Sequence, residues 1–556
     1  MVKKIPGVIY LSIIFVILIL WQMLLPGYIL TLDMVFTPKL NTLFSDGSFY
    51  NSLLLKYALK FLNLFLDGWI IQKIMLIALF FCLFYLATKF LPVPKKYYVN
   101  YWAGLFYAIN PFVYERFIAG HWTHLFAYAL LPPFIFYLFK FAKSPGWQNS
   151  AWLLGWLFLI GIFSLHFLVM AILILVIYLL YQLAKNLIAK KLELAKDILK
   201  FSIILGFIFL ILNSYWLIPY LINQEQSVLN SFSQQNIKLF KTSNDPRLGT
   251  ALNVLVLYGF WQENQPWTDY WLWPKDNFIF WSIIGALLIS IIALGLIYGI
   301  KNDKHRDKTL FFLILGLVAF ILSAGLAETW FKAINLWLFE HINFWRGFRD
   351  TQKFSGFLAL SYAYFGGLGI IAITEFLKLK RVKCFNLILG ALFIIPLLYT
   401  YPILGGFARQ LQPVWYPQSW HKVNQILNQD KSGFKVLFLP WHQYLSFNFN
   451  HNLIIANPAF AFFDQPIIQS ENMEINNILT QSTQTEYQEI NNLVLTPDNL
   501  PALTVISDLK AKNIKYIIFA QDLKNQDIFK YFFLDSDKIR KIYDSSEIVL
   551  YELLDF

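Results

Sequence analysis

Residues 278–300 read FIFWSIIGALLISIIALGLIYGI, and residues 301–308, directly after them, read KNDKHRDK. The first stretch carries no charge over its 23 residues. At about 1.5 Å of rise per residue it can cross the ~30 Å hydrocarbon core of a bilayer as a helix. The second stretch holds Lys301, Lys304, Arg306 and Lys308, and short loops rich in Lys and Arg stay on the cytoplasmic side. One span, and the side on which it ends, are legible at once.

The same alternation runs from Val8 to Tyr401. Candidate spans cover 8–25, 70–88, 97–113, 122–139, 151–166, 167–183, 201–220, 278–300, 309–327, 354–376 and 384–401. The stretch 151–183 is too long for one span, and Gly161, Ser164 and His166 offer a turn near its middle. This gives a polytopic α-helical membrane protein of about eleven spans. The start, Met1-Val2-Lys3-Lys4, leads into an apolar run with no small-residue cleavage site after it, which reads as an uncleaved first span.

Composition agrees. The chain of 556 residues is 58% hydrophobic with a mean hydropathy of +0.53, whereas a soluble domain is nearer half apolar. The net charge of +12 is uneven: residues 1–401 carry +16 and residues 402–556 carry −4. The basic excess therefore belongs to the membrane part, as topogenic and lipid-facing charge, and no nucleic-acid partner is implied. Cys82 and Cys384 both lie in apolar runs, which rules out a disulfide framework or a cysteine metal site.

With the N-terminus inside, the inner segments 1–7, 89–96, 140–150, 184–200, 301–308 and 377–383 hold 20 Lys and Arg in 58 residues. The outer loops 26–69, 114–121, 221–277 and 328–353 are more than twice as long together and hold fewer. An odd number of spans leaves residues 402–556 outside. That tail mixes strand-like runs (436–439, 516–519, 548–551) with amphipathic helical ones (500–512, 525–533), predicting a small α/β domain on the outer face. The domains are thus 1–401 and 402–556. Asp535-Ser536-Asp537 has the form of a metal-binding DxD but reads as a solvated turn.

Chemistry is sought among outer polar residues. Asp33 lies a few residues past the first span in an apolar setting. Partial desolvation raises a carboxyl pKa and suits it to act as a general base, although the same residue could simply cap the next helix. In the short turn after Asn110-Pro111-Phe112-Val113-Tyr114 come Glu115, Arg116, His121 and His124. The two His are three apart and with Glu115 could ligate a metal, or form a hydrogen-bonded cluster. Phe344-Trp345-Arg346-Gly347-Phe348-Arg349-Asp350-Thr351-Gln352-Lys353-Phe354 puts three cations on the side where positive charge is disfavoured. Arg346, Arg349 and Lys353 suit a lipid phosphate or pyrophosphate. Loop 221–277 is rich in aromatics, and Trp261, Trp267 and Trp271 could line a sugar-binding groove or belong to an interfacial belt.

An inner N-terminus, an early Asp in the first outer loop, the Asn-Pro-Phe-x-Tyr turn, an outer Arg-rich stretch before a late span and an extracytoplasmic α/β tail resemble the GT-C glycosyltransferase superfamily. Nearest in kind are the prokaryotic arabinofuranosyltransferase-like and YfhO-like membrane proteins. The resemblance implies a transferase of the cell envelope, in the plasma membrane of a prokaryote with its site on the outer face. It would move a sugar from a polyprenyl-phosphate donor to a glycan, lipid or protein acceptor. It makes Asp33 the base that deprotonates the acceptor and Arg349, with Arg346 or Lys353, the holder of the donor phosphate. Glu115 joins Asp33 at the catalytic centre, supported by Arg116, His121 and His124, and Trp261, Trp267 and Trp271 bind the acceptor. No DxD or ExD follows the first span, a departure from the metal-dependent members that points to a metal-independent mechanism without a cofactor. The rival classes are a polyprenyl-lipid flippase or transporter and a non-catalytic envelope assembly protein. Against the first, the spans hold few ionisable residues and the halves do not repeat.

Overall fold

The computed structural model describes residues 7–40, 50–222, 240–263, 272–327, 330–475, 478–480, 485–495, 501–524 and 531–556. Among these, six helices are long and apolar enough to cross a membrane. They are Gly68–Phe90, Trp122–Lys143, Leu165–Ile188, Leu192–Ile222, Phe278–Lys301 and Thr351–Leu379. The pair Phe385–Tyr399 and Tyr401–Ala408, bent by 73°, makes a seventh if counted as one span.

The other expected spans are helices of a different kind. The first, Gly7–Leu20, has 14 residues, and Trp147–Phe163 has 17. Asp303–Ser323 begins with the charged residues quoted above. The run 97–113 is not one helix. Val99–Ala108 stops there, and Asn110 caps a second, Pro111–Ile118, accepting from Val113 N at 3.2 Å. Its amide nitrogen returns to Phe106 O and Tyr107 O, at 3.1 and 2.9 Å. Proline at the first helical position carries no N–H to satisfy, so the Asn-Pro pair ends one helix and starts the next. The stretch 151–183 breaks at Ser164, whose hydroxyl accepts from Phe167 N.

Helices Phe278–Lys301 and Ser355–Leu379 meet backbone to backbone. A Cβ on Gly295 would lie 1.7 Å from Phe365 O, and one on Gly369 would lie 2.0 Å from Ile291 O. Small residues permit this approach where lipid offers no hydrophobic drive to association. The second of these helices is buried along most of its length. It carries the arginine-rich stretch at its start, so that stretch is set on a rigid element.

The tail forms a five-stranded sheet in the order Ile467–Ile468, Lys435–Leu439, Ile514–Ala520, Ile548–Leu553, Ile539–Asp544. The first two pairings are parallel and the last two antiparallel. The central strands are buried nearly throughout, as continuous apolar runs require. Helices Thr485–Leu495 and Ala502–Ala511 help cover them. The expected helix over 525–533 falls largely outside the described residues, and Asp535 ends a short 3-10 turn, Phe532–Asp535.

The loop after the first helix joins membrane part to sheet part. Gln72, inside a span, holds Ile29 through both its amide atoms, at 2.8 and 2.7 Å, as a neighbouring strand would. Tyr28 and Val414 exchange backbone hydrogen bonds, at 2.7 and 2.9 Å. Leu32 accepts from Ala456 N at 2.8 Å and donates to Ile454 O at 3.2 Å. Ile454–Ala456 pairs in a hairpin with Tyr444–Ser446. By this route a residue of the tail reaches the first loop.

Candidate active site

Asp33 sits in a tight turn, where Met34 N donates to Thr31 O at 2.6 Å and Thr31 N to Met34 O at 3.2 Å. The turn is pressed against Gly120, which adopts φ +77° in the left-handed region that glycine tolerates. A Cβ there would meet Met34 N at 2.2 Å and Asp33 N at 2.7 Å. The chain then places His121 beside the Asp33 carboxylate.

Two hydrogen bonds fix that carboxylate. His121 Nε2 is 3.1 Å from Oδ2, and the Tyr444 hydroxyl donates to Oδ1 at 2.8 Å. Valence fixes the imidazole. Arg116 Nη1 lies 3.2 Å from His121 Nδ1, and a guanidinium can only donate. Nδ1 is therefore the acceptor, and Nε2 carries the proton given to Asp33. Burial, opposed by Asp33 and reinforced by Arg116, holds His121 below its ordinary pKa, so the ring is neutral. The Asp33–His121 contact is a hydrogen bond from a neutral ring, not an ion pair.

The expected rise in the pKa of Asp33 is reversed. Burial does push it up, but hydrogen bonds from His121 and Tyr444 and the charge of Arg349 outweigh burial and leave it below its usual value. Asp33 is thus a held anion with 40% of its side chain open. Burial and Asp33 raise the Tyr444 phenol well above its ordinary value, which keeps its proton in place to donate.

Arg116 is the buried keystone behind this group, with no exposed side-chain surface. It donates from Nη2 to Asp350 Oδ1 at 3.0 Å and from Nη1 to Asp350 Oδ2, and from Nε to Gln352 Oε1 at 3.0 Å. It stacks over Phe260 at 4.5 Å. Burial works against the Asp350 anion, but Arg116 and Lys353 hold its pKa far below the usual carboxylate range. Gln352 passes the chain to Glu115 Oε2, donating at 3.1 Å.

One cavity of about 230 Å³ gathers these groups. Its lining includes Asp33, His121, Trp261, Arg349, Asp350, Lys353, Gln443 and Tyr444. Four expected site residues thus meet there from three separate segments: Asp33, His121, and Arg349 with Lys353, with Trp261 also in the lining. Arg349 stacks over Phe240 at 4.9 Å, and Lys353 Nζ lies 3.2 Å from His166 Nε2.

The remaining expected residues lie elsewhere. Glu115 has no exposed surface and faces Gln352 behind the cavity. Burial and the nearby Glu263 carboxyl push its pKa well up, so it stays neutral. A side chain so enclosed cannot touch a substrate, which corrects its placing beside Asp33 at the catalytic centre. Arg116 is likewise enclosed. His124 sits between His121 and His166, with ring centres 5.4 and 5.2 Å away, and is not part of the lining. Arg346 also lies outside the lining. Trp267 and Trp271 lie outside the described residues. Among the described residues no three His, Cys, Asp or Glu side chains are grouped to hold a metal ion.

Sequence reasoning missed the wall made by the tail: His442, Gln443, Tyr444 and Asn472. The signal was present in Pro440-Trp441-His442-Gln443-Tyr444, a polar and aromatic cluster directly after a buried strand. It also passed over Asp350 and His166, which only their neighbours in space make significant.

No family model matches the sequence, and neither does any curated protein. By structure the chain is similar to the mycobacterial arabinofuranosyltransferase AftD, with a TM-score of 0.63 and 12% identity over 98% of this chain and 39% of that one. A mutant form of AftD gives a TM-score of 0.61 at 12% identity, over 98% of this chain and 41% of that one. The chain spans about two-fifths of the length of the protein that it matches. Apolar helices and likeness together show a multi-pass membrane protein whose fold is like that of the arabinofuranosyltransferase AftD.

Proposed function

We propose that this protein is a membrane glycosyltransferase that moves a sugar from a polyprenyl-phosphate donor to a hydroxyl of a glycan, lipid or protein acceptor. The observation that carries the reading is one cavity with a held carboxylate, Asp33, and two basic side chains, Arg349 and Lys353, in its lining. Asp33 takes the acceptor proton as the acceptor oxygen bonds to the anomeric carbon of the donor sugar. The bond from that carbon to the phosphate oxygen breaks, and the polyprenyl phosphate leaves as an anion. Arg349, with a fork matched to phosphate oxygens, and Lys353, a point charge, receive it. Their charge serves the leaving group, so these residues need no metal for that step. His121 and Tyr444 hold Asp33 in place, which is where positioning gains most.

The stretch 344–354 is the one outer segment dense in cations, and the inner loops hold most Lys and Arg. Both support a site on the outer face of a prokaryotic plasma membrane. Arg346 is left outside the phosphate-binding pair.

The test is transfer of labelled sugar from a polyprenyl-phosphate donor in reconstituted membranes, alongside binding of the donor. Asp33→Asn should lose roughly 10²–10⁴-fold in transfer while still binding donor. Arg349→Ala should first weaken donor binding. Wild-type transfer by Asp33→Asn removes Asp33 as the base. Movement of lipid across the bilayer without sugar transfer would replace the reading with that of a flippase.

A further inference from the structure

The geometry points to Gln443 and Asn472, both on the tail, as an acceptor subsite that reads two neighbouring hydroxyls of a neutral sugar. This inference rests on the glycosyltransferase reading and adds to it the chemical class of acceptor and the residues that select it.

The argument starts from unsatisfied amides. Both residues line the cavity. The Gln443 side chain makes no hydrogen bond within the described protein, and its Oε1 is a buried atom without a partner. Its backbone oxygen accepts from Asn457 N at 2.8 Å, so the two residues stand opposite each other at the end of the hairpin. Asn457 Nδ2 is also buried without a partner. These two atoms do not meet each other, although the residues face across the hairpin. Gln443 Nε2 is not among the buried atoms, so it is the group that Gln443 offers to the cavity as a donor. Buried amides left unpaired are uncommon and call for a reason; a ligand is one.

Asn472 supplies the other half, and valence fixes its direction. Trp441 Nε1 donates to Asn491 Oδ1 at 3.2 Å, and an indole can only donate. The Asn491 oxygen is therefore at that point. Asn472 Nδ2 donates to the same oxygen. Among the described residues the Asn472 carbonyl oxygen has no partner and can accept. One donor and one acceptor on the same wall match a pair of sugar hydroxyls, each of which can give or take a proton.

Position ties this wall to the acceptor and not to the donor. Gln443 precedes Tyr444, whose hydroxyl holds Asp33. The sugar that presents its hydroxyl to Asp33 therefore lies against the tail, while Arg349 and Lys353 sit on the stretch that enters the membrane helix. Trp261 and Phe260 in the same cavity offer apolar faces for the sugar ring. Neither Gln443 nor Asn472 bears a charge, so the wall suits a neutral glycan end.

The test uses the full chain in lipid nanodiscs and the variant Gln443→Met, which keeps the length of the side chain and removes its amide. Two binding measurements are made without turnover: methyl pentofuranosides and methyl hexopyranosides by quenching of tryptophan fluorescence, and polyprenyl phosphate by competition. One lost neutral hydrogen bond should weaken glycoside binding about three- to tenfold. The acceptor KM should rise by the same factor, with polyprenyl-phosphate binding and kcat at saturating acceptor unchanged. Unchanged glycoside binding in the variant overturns the assignment, as does an equal loss of polyprenyl-phosphate binding, which would make Gln443 a structural residue. If the wild type binds none of the glycosides, the subsite is likewise refuted. Failure of the wild type to transfer sugar, with glycoside binding that Gln443→Met weakens, refutes the transferase reading and leaves the subsite standing.

Discussion

Replacing Gly120 by alanine tests whether Asp33, the proposed base, is held by close approach of two backbones. The added Cβ would lie 2.2 Å from Met34 N and 2.7 Å from both Asp33 N and Thr31 O. These are backbone atoms and cannot swing aside as the end of a side chain can. Ordinary contact begins at about 3.4 Å, so the Thr31–Met34 turn must retreat by more than 1 Å. Alanine at φ +77° adds roughly 1–2 kcal/mol of backbone strain. Asp33 rides on that turn, 3.1 Å from His121 Nε2, and a retreat on this scale breaks the contact. Misplacement of a reacting group by about 1 Å costs on the order of 10²-fold in rate. Gly120→Ala should thus transfer sugar about a hundredfold more slowly in proteoliposomes, at equal amounts of folded protein judged by thermal unfolding, with Tm lowered by a few degrees. Transfer within threefold of wild type at an unchanged Tm would refute the idea that Gly120 sets the position of Asp33.

Three further outcomes are expected. Tyr444→Phe removes a hydrogen bond that lowers the Asp33 pKa, so the acidic limb of the transfer profile should move to higher pH. The sign is the same for stability: a carboxyl held low in the fold stabilises it above the unfolded pKa and loses that contribution as pH falls, and the variant should lose it earlier; an unmoved limb would separate Tyr444 from Asp33. Arg116→Met leaves Asp350 buried without its partner and should lower stability by roughly 3–5 kcal/mol, while Arg116→Met combined with Asp350→Leu should recover part of this in denaturant unfolding; an additive double variant would show that the pair is not coupled. In intact cells, a cysteine probe at Ser432 should be labelled by an impermeant reagent and one at Lys304 should not, and labelling at Lys304 would invert the sidedness.

The likeness to AftD covers nearly all of this chain and about two-fifths of that one. The part held in common includes the tail, whose residues Gln443 and Tyr444 line the cavity.

Apolar length and basic loops were legible in the sequence because both are local. Each span is decided by some twenty consecutive residues, and the runs at 70–88, 167–183 and 278–300 became helices over closely similar residues. The strands at 436–439, 516–519 and 548–551 were legible for the same reason. What composition could not show was where a run breaks: Asn110 ends one helix by capping another, a matter of hydrogen bonds and not of hydropathy. The sequence also singled out Asp33, His121, Arg349 and Lys353 by their chemistry and their place in outer loops. Only the tertiary structure decided their surroundings. It lowered the pKa of Asp33 instead of raising it, enclosed Glu115 and Arg116 behind the cavity, and brought in Tyr444 from 411 residues away. A pKa is set by the nearest donors and charges in space, and along the chain those neighbours have no fixed distance.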